Sequence, residues 1–272
     1  MTDAGSVEAH YTRAELGAAI LAALQAAGKD LDRLTPDDVA PIDEFHTRGR
    51  AATRDLARLL ALTGQERVLD LGSGIGGPSR WLAATFGCRV SGVDLTAAFV
   101  AAATMLARRM KLDDKVDYRQ GNALAVPFED ASFDVVWSQN VVMNIAERDR
   151  LYAEIRRVLK PGGRYAFSDV VAGPAAPPHY PVPWARSAAT SFLLTPAETR
   201  AKLLAAGFRV IAFEDQTDDA LAQAQARYKA APQPLGIHIL VGDDYPAIAA
   251  NMIRNLEERR IGLVQGVVRR EG

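Results

Sequence analysis

Val68-Leu-Asp-Leu-Gly-Ser-Gly-Ile-Gly-Gly-Pro78 is the stretch from which the architecture of this chain can be read. Val68 to Leu71 is apolar apart from Asp70 and suits a strand covered on both faces. Four glycines then occupy six positions, 72–77, where the chain must turn sharply and leave its backbone bare. Pro78 follows at a position suited to the first turn of a helix. A second strand pattern, Arg89 to Asp94, ends on a carboxylate 24 residues after Asp70. A strand, a glycine turn, a helix and a second strand ending in an acid together make a nucleoside pocket. The glycines admit the ligand to the backbone, and the acid accepts hydrogen bonds from ribose hydroxyls.

The same alternation continues outward. Strands are expected near 67–72, 89–94, 115–120, 133–138, 164–170, 208–215 and 262–269, with helices over about 77–86, 97–110, 147–159 and 196–206. Strands alternating with helices through short links predict a parallel, doubly wound α/β sheet. Lys160-Pro-Gly-Gly163 reads as a sharp helix exit, and Thr195-Pro-Ala-Glu198 as a capping box with proline at the first helical position. Upstream, a helix from Tyr11 to Ala27 opens on the capping box Thr12-Arg-Ala-Glu15 and stops at Gly28. A short helix or turn begins at Thr35-Pro-Asp-Asp38, Asp43 to Arg50 reads as a polar loop, and Ala51 to Leu62 as a third helix. Residues 172–186 carry five prolines, which exclude a helix or an inner strand there. Residues 218–260 look helical. The expected organisation is one compact domain: a helical lid over 1–66 and a core over 67–272 with insertions at 172–194 and 218–260.

Composition narrows the class. The 272 residues are 49% hydrophobic and 24% charged with a net charge of −1, enough for a large core and no electrostatic reason to bind nucleic acid or an anionic membrane. The single cysteine, Cys88, excludes an internal disulfide and any cysteine-based zinc site, and suits a reducing compartment. Within Phe86-Gly-Cys-Arg-Val90 it reads as a small buried hydrophobe. The first residues, Met1-Thr-Asp-Ala-Gly-Ser6, lack a basic-then-apolar targeting pattern, and no apolar run approaches the roughly 20 residues that span a bilayer. The expectation is a cytoplasmic protein, with a homo-oligomer left open. His10, His179 and His238 have no spacing that suggests a metal site.

The glycine turn alone leaves the cofactor open. Gly72 to Gly77 satisfies G-x-G-x-x-G, so a nicotinamide or flavin dinucleotide is formally allowed, and glycines at such a turn also serve tight packing alone. Asp70 leans the other way, because a carboxylate there repels a pyrophosphate but can fix the turn and help hold a cationic amino group. Gly121 to Asp134 links the third and fourth strands and offers the Asn122 side chain as an acceptor and the Ala123 backbone as a donor to an adenine edge. Leu159-Lys-Pro-Gly-Gly163 then enters the fifth strand.

On these residues the chain resembles the class I S-adenosylmethionine-dependent methyltransferases over about residues 42–217. Val68 to Gly76 is similar to the family's first motif, Asp94 to its ribose acid, Gly121 to Phe133 to its adenine segment and Leu159 to Gly163 to its post-helix turn. The resemblance implies a Rossmann-like, seven-stranded sheet with the last strand antiparallel. It also implies S-adenosyl-L-methionine as methyl donor, with S-adenosyl-L-homocysteine as product. Carried onto this chain, Gly72, Ser73 and Gly74 pass under the methionine part and Asp94 holds the ribose. Leu95 packs on the adenine, Asn122 and Ala123 flank its edge, and Gln139 lies near the sulfonium. The family usually has aspartate where this chain has Asn122, a change that keeps an acceptor.

Methyl transfer is an in-line displacement that needs a base only when the acceptor loses a proton. Three groups are candidates for the acceptor side: Gln139 and Asn140 after the fourth strand, Tyr180, Trp184 and Arg186 in the proline loop, and His46 with Tyr11 in the lid. Many small-molecule relatives carry a histidine after that strand, where this chain has Asn140, Met143 and Asn144. Phe45-His46, Gly49-Arg50, Gly76-Gly77-Pro78, Trp137-Ser-Gln139 and Pro181-Val-Pro-Trp184 are similar to sarcosine/dimethylglycine N-methyltransferase-like proteins. That resemblance implies a small-molecule acceptor, foremost the nitrogen of a small amine or amino acid. The alternative is C- or O-methylation of a quinone, terpenoid or polyketide, whose mark would be a deep apolar pocket with a titratable base such as His46 or Tyr180. An NAD-type oxidoreductase is the rival from another class.

Overall fold

The computed structural model describes residues 16–44, 46–229, 234–241 and 244–272. Tyr11 and the expected capping box at Thr12 to Glu15 lie outside the described residues. Strand β1 (Arg67–Leu71) is buried from Val68 onward because it runs parallel between β2 (Arg89–Asp94) and β4 (Phe133–Gln139). β3 (Val116–Gln120) continues the sheet beyond β2, and β5 (Leu159–Ala172) beyond β4. The final strand, β7 (Ile261–Arg270), inserts antiparallel between β5 and β6 (Phe208–Asp215), so the order is β3-β2-β1-β4-β5-β7-β6. This is the seven-stranded sheet with an antiparallel last strand that the resemblance implied. β5 starts at Leu159 rather than 164: Lys160 to Gly163 belongs to the strand, accommodated by a register shift against β4 between Phe133 and Val135.

Side chains alternate across the sheet, and each set meets different helices. Val68, Val90, Val135 and Trp137 pack with Leu56 and Leu60 of α3 (Arg50–Leu60) and Trp81 and Leu82 of α4 (Gly77–Phe86). Leu69, Leu71, Val136, Tyr165 and Phe167 pack with Leu151 and Ile155 of α6 (Arg148–Val158) and Leu203 of α7 (Pro196–Ala205). α7 opens on the expected capping box, Thr195 exchanging hydrogen bonds with Glu198.

Two layers close over the C-terminal edge of the sheet. In the lid, Ile20 and Leu24 of α1 (Leu16–Ala26) and Val39 and Ile42 of α2 (Pro36–Asp43) pack on Phe99 and Leu106 of α5 (Ala97–Arg109). A buried ion pair locks them down: Arg80 Nη2 lies 2.7 Å from Asp43 Oδ2, and neither side chain is exposed. On the other side the insertion forms α8 (Thr217–Lys229), α9 (His238–Val241) and α10 (Tyr245–Glu257). Ala220 and Leu256 of this layer pack with Val182 and Trp184 of the proline loop. Among the described residues, no helix is long and apolar enough to cross a membrane.

Candidate active site

β1 and β4 lie side by side yet send their following connections to opposite faces of the sheet, which opens a crevice at their C-terminal ends. A cavity of about 210 Å³ fills it, walled by the turns after β1, β2, β3 and β4 and by the lid. The glycine turn makes its floor. Gly72, Gly74 and Gly76 have φ of +71°, +53° and +82°, a region that residues with a Cβ rarely adopt. At Gly74 a Cβ would meet nothing within 4 Å, so the backbone there stands bare toward the cavity. Asp94 binds the turn to β2: its Oδ2 accepts from the Gly74 N–H at 2.8 Å and its Oδ1 from Thr96 N–H at 2.9 Å. Leu95, Asn122 and Ala123 line the same end of the cavity. The Asn122 Oδ1 accepts from the Leu124 N–H at 2.9 Å, which braces the side chain in a local turn.

Asp70 is buried at the end of β1 with Oδ2 accepting from Ser79 Oγ at 2.5 Å. Burial pushes its carboxyl up to about 7, against the Ser79 hydrogen bond. Asp43, Asp70 and Asp94 all line the cavity, and no lysine or arginine does so among the described residues. With Asp43 paired to Arg80, a pyrophosphate would still face the acids Asp70 and Asp94 with no lysine or arginine on the cavity wall among the described residues. A cationic ligand suits the same wall, and that chemistry separates the two cofactors the glycine turn left open.

A second cavity, of about 260 Å³, adjoins the first, and His46, Asn140 and Pro183 line both. Its other walls come from Ala220 and Ala224 of α8, Ile248, Ala249 and Met252 of α10, and Arg48 and Arg227. His46 sits where the two cavities meet because Arg48 (φ +69°) and Gly49 (φ +51°) turn the chain back, with the Gly49 N–H donating to the His46 carbonyl at 3.0 Å. The supposed polar loop is therefore buried: Asp43, Glu44 and His46 are 4%, 3% and 8% exposed. Glu44 Oε2 lies 2.7 Å from His46 Nε2 and accepts from Thr53 Oγ1 at 2.7 Å, while Arg50 Nε donates to Glu44 Oε1. Burial would raise the Glu44 carboxyl, but His46, Arg50 and Thr53 together hold it below its ordinary value.

The sequence carries further signs of what this crevice holds. A family model described as a methyltransferase domain matches residues 69–167. The chain is 30% identical over 185 residues to the sarcosine/dimethylglycine N-methyltransferase of Halorhodospira halochloris, covering 66% of this chain and 64% of that protein. It is 34% identical over 139 residues to the 27-O-demethylrifamycin SV methyltransferase of Amycolatopsis mediterranei (strain S699), covering 51% and 50%. The chain thus spans less than two thirds of either relative's own length. Among solved structures, the [4+2]-cyclase SpnF is similar at a TM-score of 0.70 and 25% identity, over 98% of this chain and 97% of that one. These matches support a class I S-adenosylmethionine-dependent methyltransferase.

In this methyltransferase fold the expected site residues fall into two sets. Asp70, Gly72, Ser73, Gly74, Asp94, Leu95, Asn122, Ala123, Gln139, Asn140, His46 and Trp184 all line the first cavity. Tyr180 and Arg186 line neither: Tyr180 packs beside the core around Trp184, and Arg186 pairs with Asp244 at 2.5 Å. Trp184 is 3% exposed, its Nε1 donating to Ser191 Oγ at 2.9 Å, and it walls the cavity from within the core. Gln139 Oε1 accepts from Trp137 Nε1 at 3.0 Å, which turns its NH2 toward His46 Nδ1 at 3.4 Å. The Asn140 amide bonds Thr47: with its oxygen accepting from the Thr47 N–H at 3.0 Å, its NH2 donates to the Ser168 carbonyl at 3.2 Å. Glu44, Thr53 and Asp169 were not singled out from sequence. Asp169 Oδ1 accepts from the Val141 N–H at 3.3 Å and steadies the turn after β4; burial pushes its carboxyl up to about 6, against Arg148. An acid two residues before His46 and a basic residue four after it were the only signals for Glu44.

Proposed function

We propose that this protein binds S-adenosyl-L-methionine in the first cavity and transfers its methyl group to a hydroxyl or an acidic carbon of an apolar small molecule held in the second. The observation that carries the reading is His46, buried at the junction of the two cavities with the Glu44 carboxylate behind it. Apolar walls with a titratable ring at the mouth are the feature that distinguishes such acceptors from a simple amine. The bound cofactor supplies an electrophilic methyl group on a sulfonium, a good leaving group.

In this reading each residue has a limited task. Asp94 keeps lone pairs for the ribose hydroxyls beyond the two backbone N–H groups it already accepts. Gly72, Ser73 and Gly74 offer bare backbone to the methionine part, and Asp70 offers charge to its amino group. Leu95 and Ala123 enclose the adenine, with Asn122 at its edge, and Gln139 and Asn140 border the space beyond sulfur. Trp184 limits that space. His46 would take the proton that the acceptor's hydroxyl or acidic carbon gives up on receiving the methyl group, from its place at the junction of the two cavities. Holding the reactants in line supplies most of the remaining acceleration. The lid over 1–66 and the insertions at 172–194 and 218–260 are read as the parts that select the acceptor.

A second reading, N-methylation of a small amine or amino acid, is favoured by the similarity to the sarcosine/dimethylglycine enzyme and by Arg48 and Arg227 beside the second cavity, which suit a carboxylate. Incubation with methyl-labelled S-adenosylmethionine and a panel of phenols, hydroxyquinones, hydroxylated terpenoids, glycine, sarcosine and dimethylglycine tests the two. Transfer to oxygen or carbon acceptors is expected, falling about 10²- to 10⁴-fold in His46→Gln with S-adenosylhomocysteine affinity kept. Transfer to the amines alone would replace the first reading by the second. Thermal stabilisation by NADH and not by S-adenosylhomocysteine would overturn both.

A further inference from the structure

A histidine that is to take a proton needs a lone pair on one ring nitrogen while the other nitrogen carries the hydrogen. Two separate contacts bear on which is which. On one side Nε2 lies 2.7 Å from Glu44 Oε2, a carboxylate that can only accept, so this nitrogen carries the hydrogen. On the other side, Trp137 Nε1 donates to Gln139 Oε1 at 3.0 Å and so fixes the amide with its NH2 toward Nδ1, 3.4 Å away. A donor facing Nδ1 requires a lone pair there. The Thr47 carbonyl, 3.5 Å from Nδ1, is at the outer limit of hydrogen bonding.

The geometry points to Glu44 as a positioning residue: it holds His46 in the Nε2–H form, so that Nδ1 is the atom that receives the acceptor's proton. This rests on the proposed transfer to a proton-bearing acceptor. Glu44 is itself immobilised. Thr53 Oγ1 and Arg50 Nε donate to its two oxygens, and the Arg50 guanidinium lies 5.5 Å from the centre of the Trp81 ring. Its side chain is 2% exposed, so its charge acts on the imidazole with little solvent screening. Other charged groups near the ring among the described residues are Arg50 of α3, Asp43 at the end of α2 with its partner Arg80, Asp70 at the end of β1, and Arg48 and Arg227 on the wall of the second cavity. Arg50 opposes the Glu44 charge and is paired to it, whereas Asp43 is spent on Arg80. Glu44 is the one carboxylate in direct contact with the ring among the described residues.

The test reads the ring directly. Long-range proton–nitrogen spectra of the full chain labelled with ¹⁵N-histidine, with the His46 signals assigned by their loss in His46→Gln, report which nitrogen carries hydrogen. The neutral ring is expected as the Nε2–H tautomer in the unmodified protein, and as a mixture or the opposite tautomer in Glu44→Gln. With the best oxygen acceptor from the panel, Glu44→Gln should lower kcat about 10- to 100-fold with KM within threefold. Affinity for S-adenosylhomocysteine should stay within threefold, which separates this outcome from misfolding. An Nδ1–H tautomer in the unmodified protein would overturn the proposal even if the variant does not fold, as would an unaltered Nε2–H tautomer in a folded Glu44→Gln variant. Absence of transfer to any proton-bearing acceptor would instead remove the functional reading while leaving the tautomer result standing.

Discussion

Alanine at Gly72 and alanine at Gly74 should fail for different reasons, although the two glycines are two residues apart in one turn. Both have positive φ, +71° and +53°, so either alanine carries the strain of the left-handed region, about 1–2 kcal/mol. The stiffer unfolded chain gives back about 0.4–1 kcal/mol. At Gly74 the new Cβ would meet nothing within 4 Å, so stability should fall by only about 1 kcal/mol. At Gly72 the Cβ would lie 2.4 and 2.8 Å from the two Cγ atoms of Val141 and 3.2 Å from its Cβ. Overpacking of that kind adds about 1–3 kcal/mol, for a total near 2–4 kcal/mol. Urea unfolding of the ligand-free protein measures both. Binding should invert the order: the Gly74 methyl projects toward the cavity floor, and a similar overlap with the ligand would weaken S-adenosylhomocysteine about 5- to 150-fold by calorimetry. Removing the Val141 methyls relieves the Gly72 clash but not its φ, so Gly72→Ala in a Val141→Ala background should recover about 1–3 kcal/mol of coupling energy. Equal stability of the two glycine variants, or strict additivity with Val141→Ala, would refute this description of the turn.

Two further outcomes follow from buried charge. Arg80→Met should cost about 3–5 kcal/mol, since it leaves Asp43 buried without its cation, and Asp43→Leu in the same chain should recover most of that loss. The penalty should grow with pH in the single variant, because the folded Asp43 must then keep a proton that the unfolded chain releases; melting at several pH values checks the sign. Asp70, pushed up to about 7 in the folded protein against 3.8 in an ordinary aspartate, binds its proton more tightly folded than unfolded. Stability of the ligand-free protein should therefore fall as pH rises from about 4 to about 7 and level off above. Affinity for the cationic S-adenosylmethionine should rise through pH 7 as Asp70 ionises. Asp70→Asn should flatten both trends, and unchanged slopes in that variant would assign them to another group.

Most of the fold was legible because its signals are local. The strand from Val68, the glycines and Asp94 act within one strand-turn-helix unit, and the expected ends of α4 and α7 agree with those observed to within a residue. Thr195 and Glu198 meet across three residues, so their capping box could be read without any tertiary knowledge. The site was legible in part. Asp70, Asp94 and Gln139 end strands, and the end of a strand in a parallel sheet is already a position on the crevice. That the Asn122 oxygen also accepts from the Leu124 N–H two residues on was not read from the sequence. The segment from Asp43 to Arg50 looked like a solvated loop because charged residues usually are. Its partners, Arg80 for Asp43 and Thr53 and Gln139 around His46, come from three other elements.

The Val68 to Pro78 turn could be read without coordinates, because glycine at positive φ and a carboxylate at a strand end are properties of the backbone itself. Folding added the arrangement that local chemistry cannot encode. β7 enters between β5 and β6, and α8 and α10 close an apolar cavity against the lid. The same closure takes Glu44 and His46 out of water as a pair. Burial and pairing depend on contacts between residues far apart in the chain, and those contacts exist only once the sheet has brought its C-terminal edges under one roof.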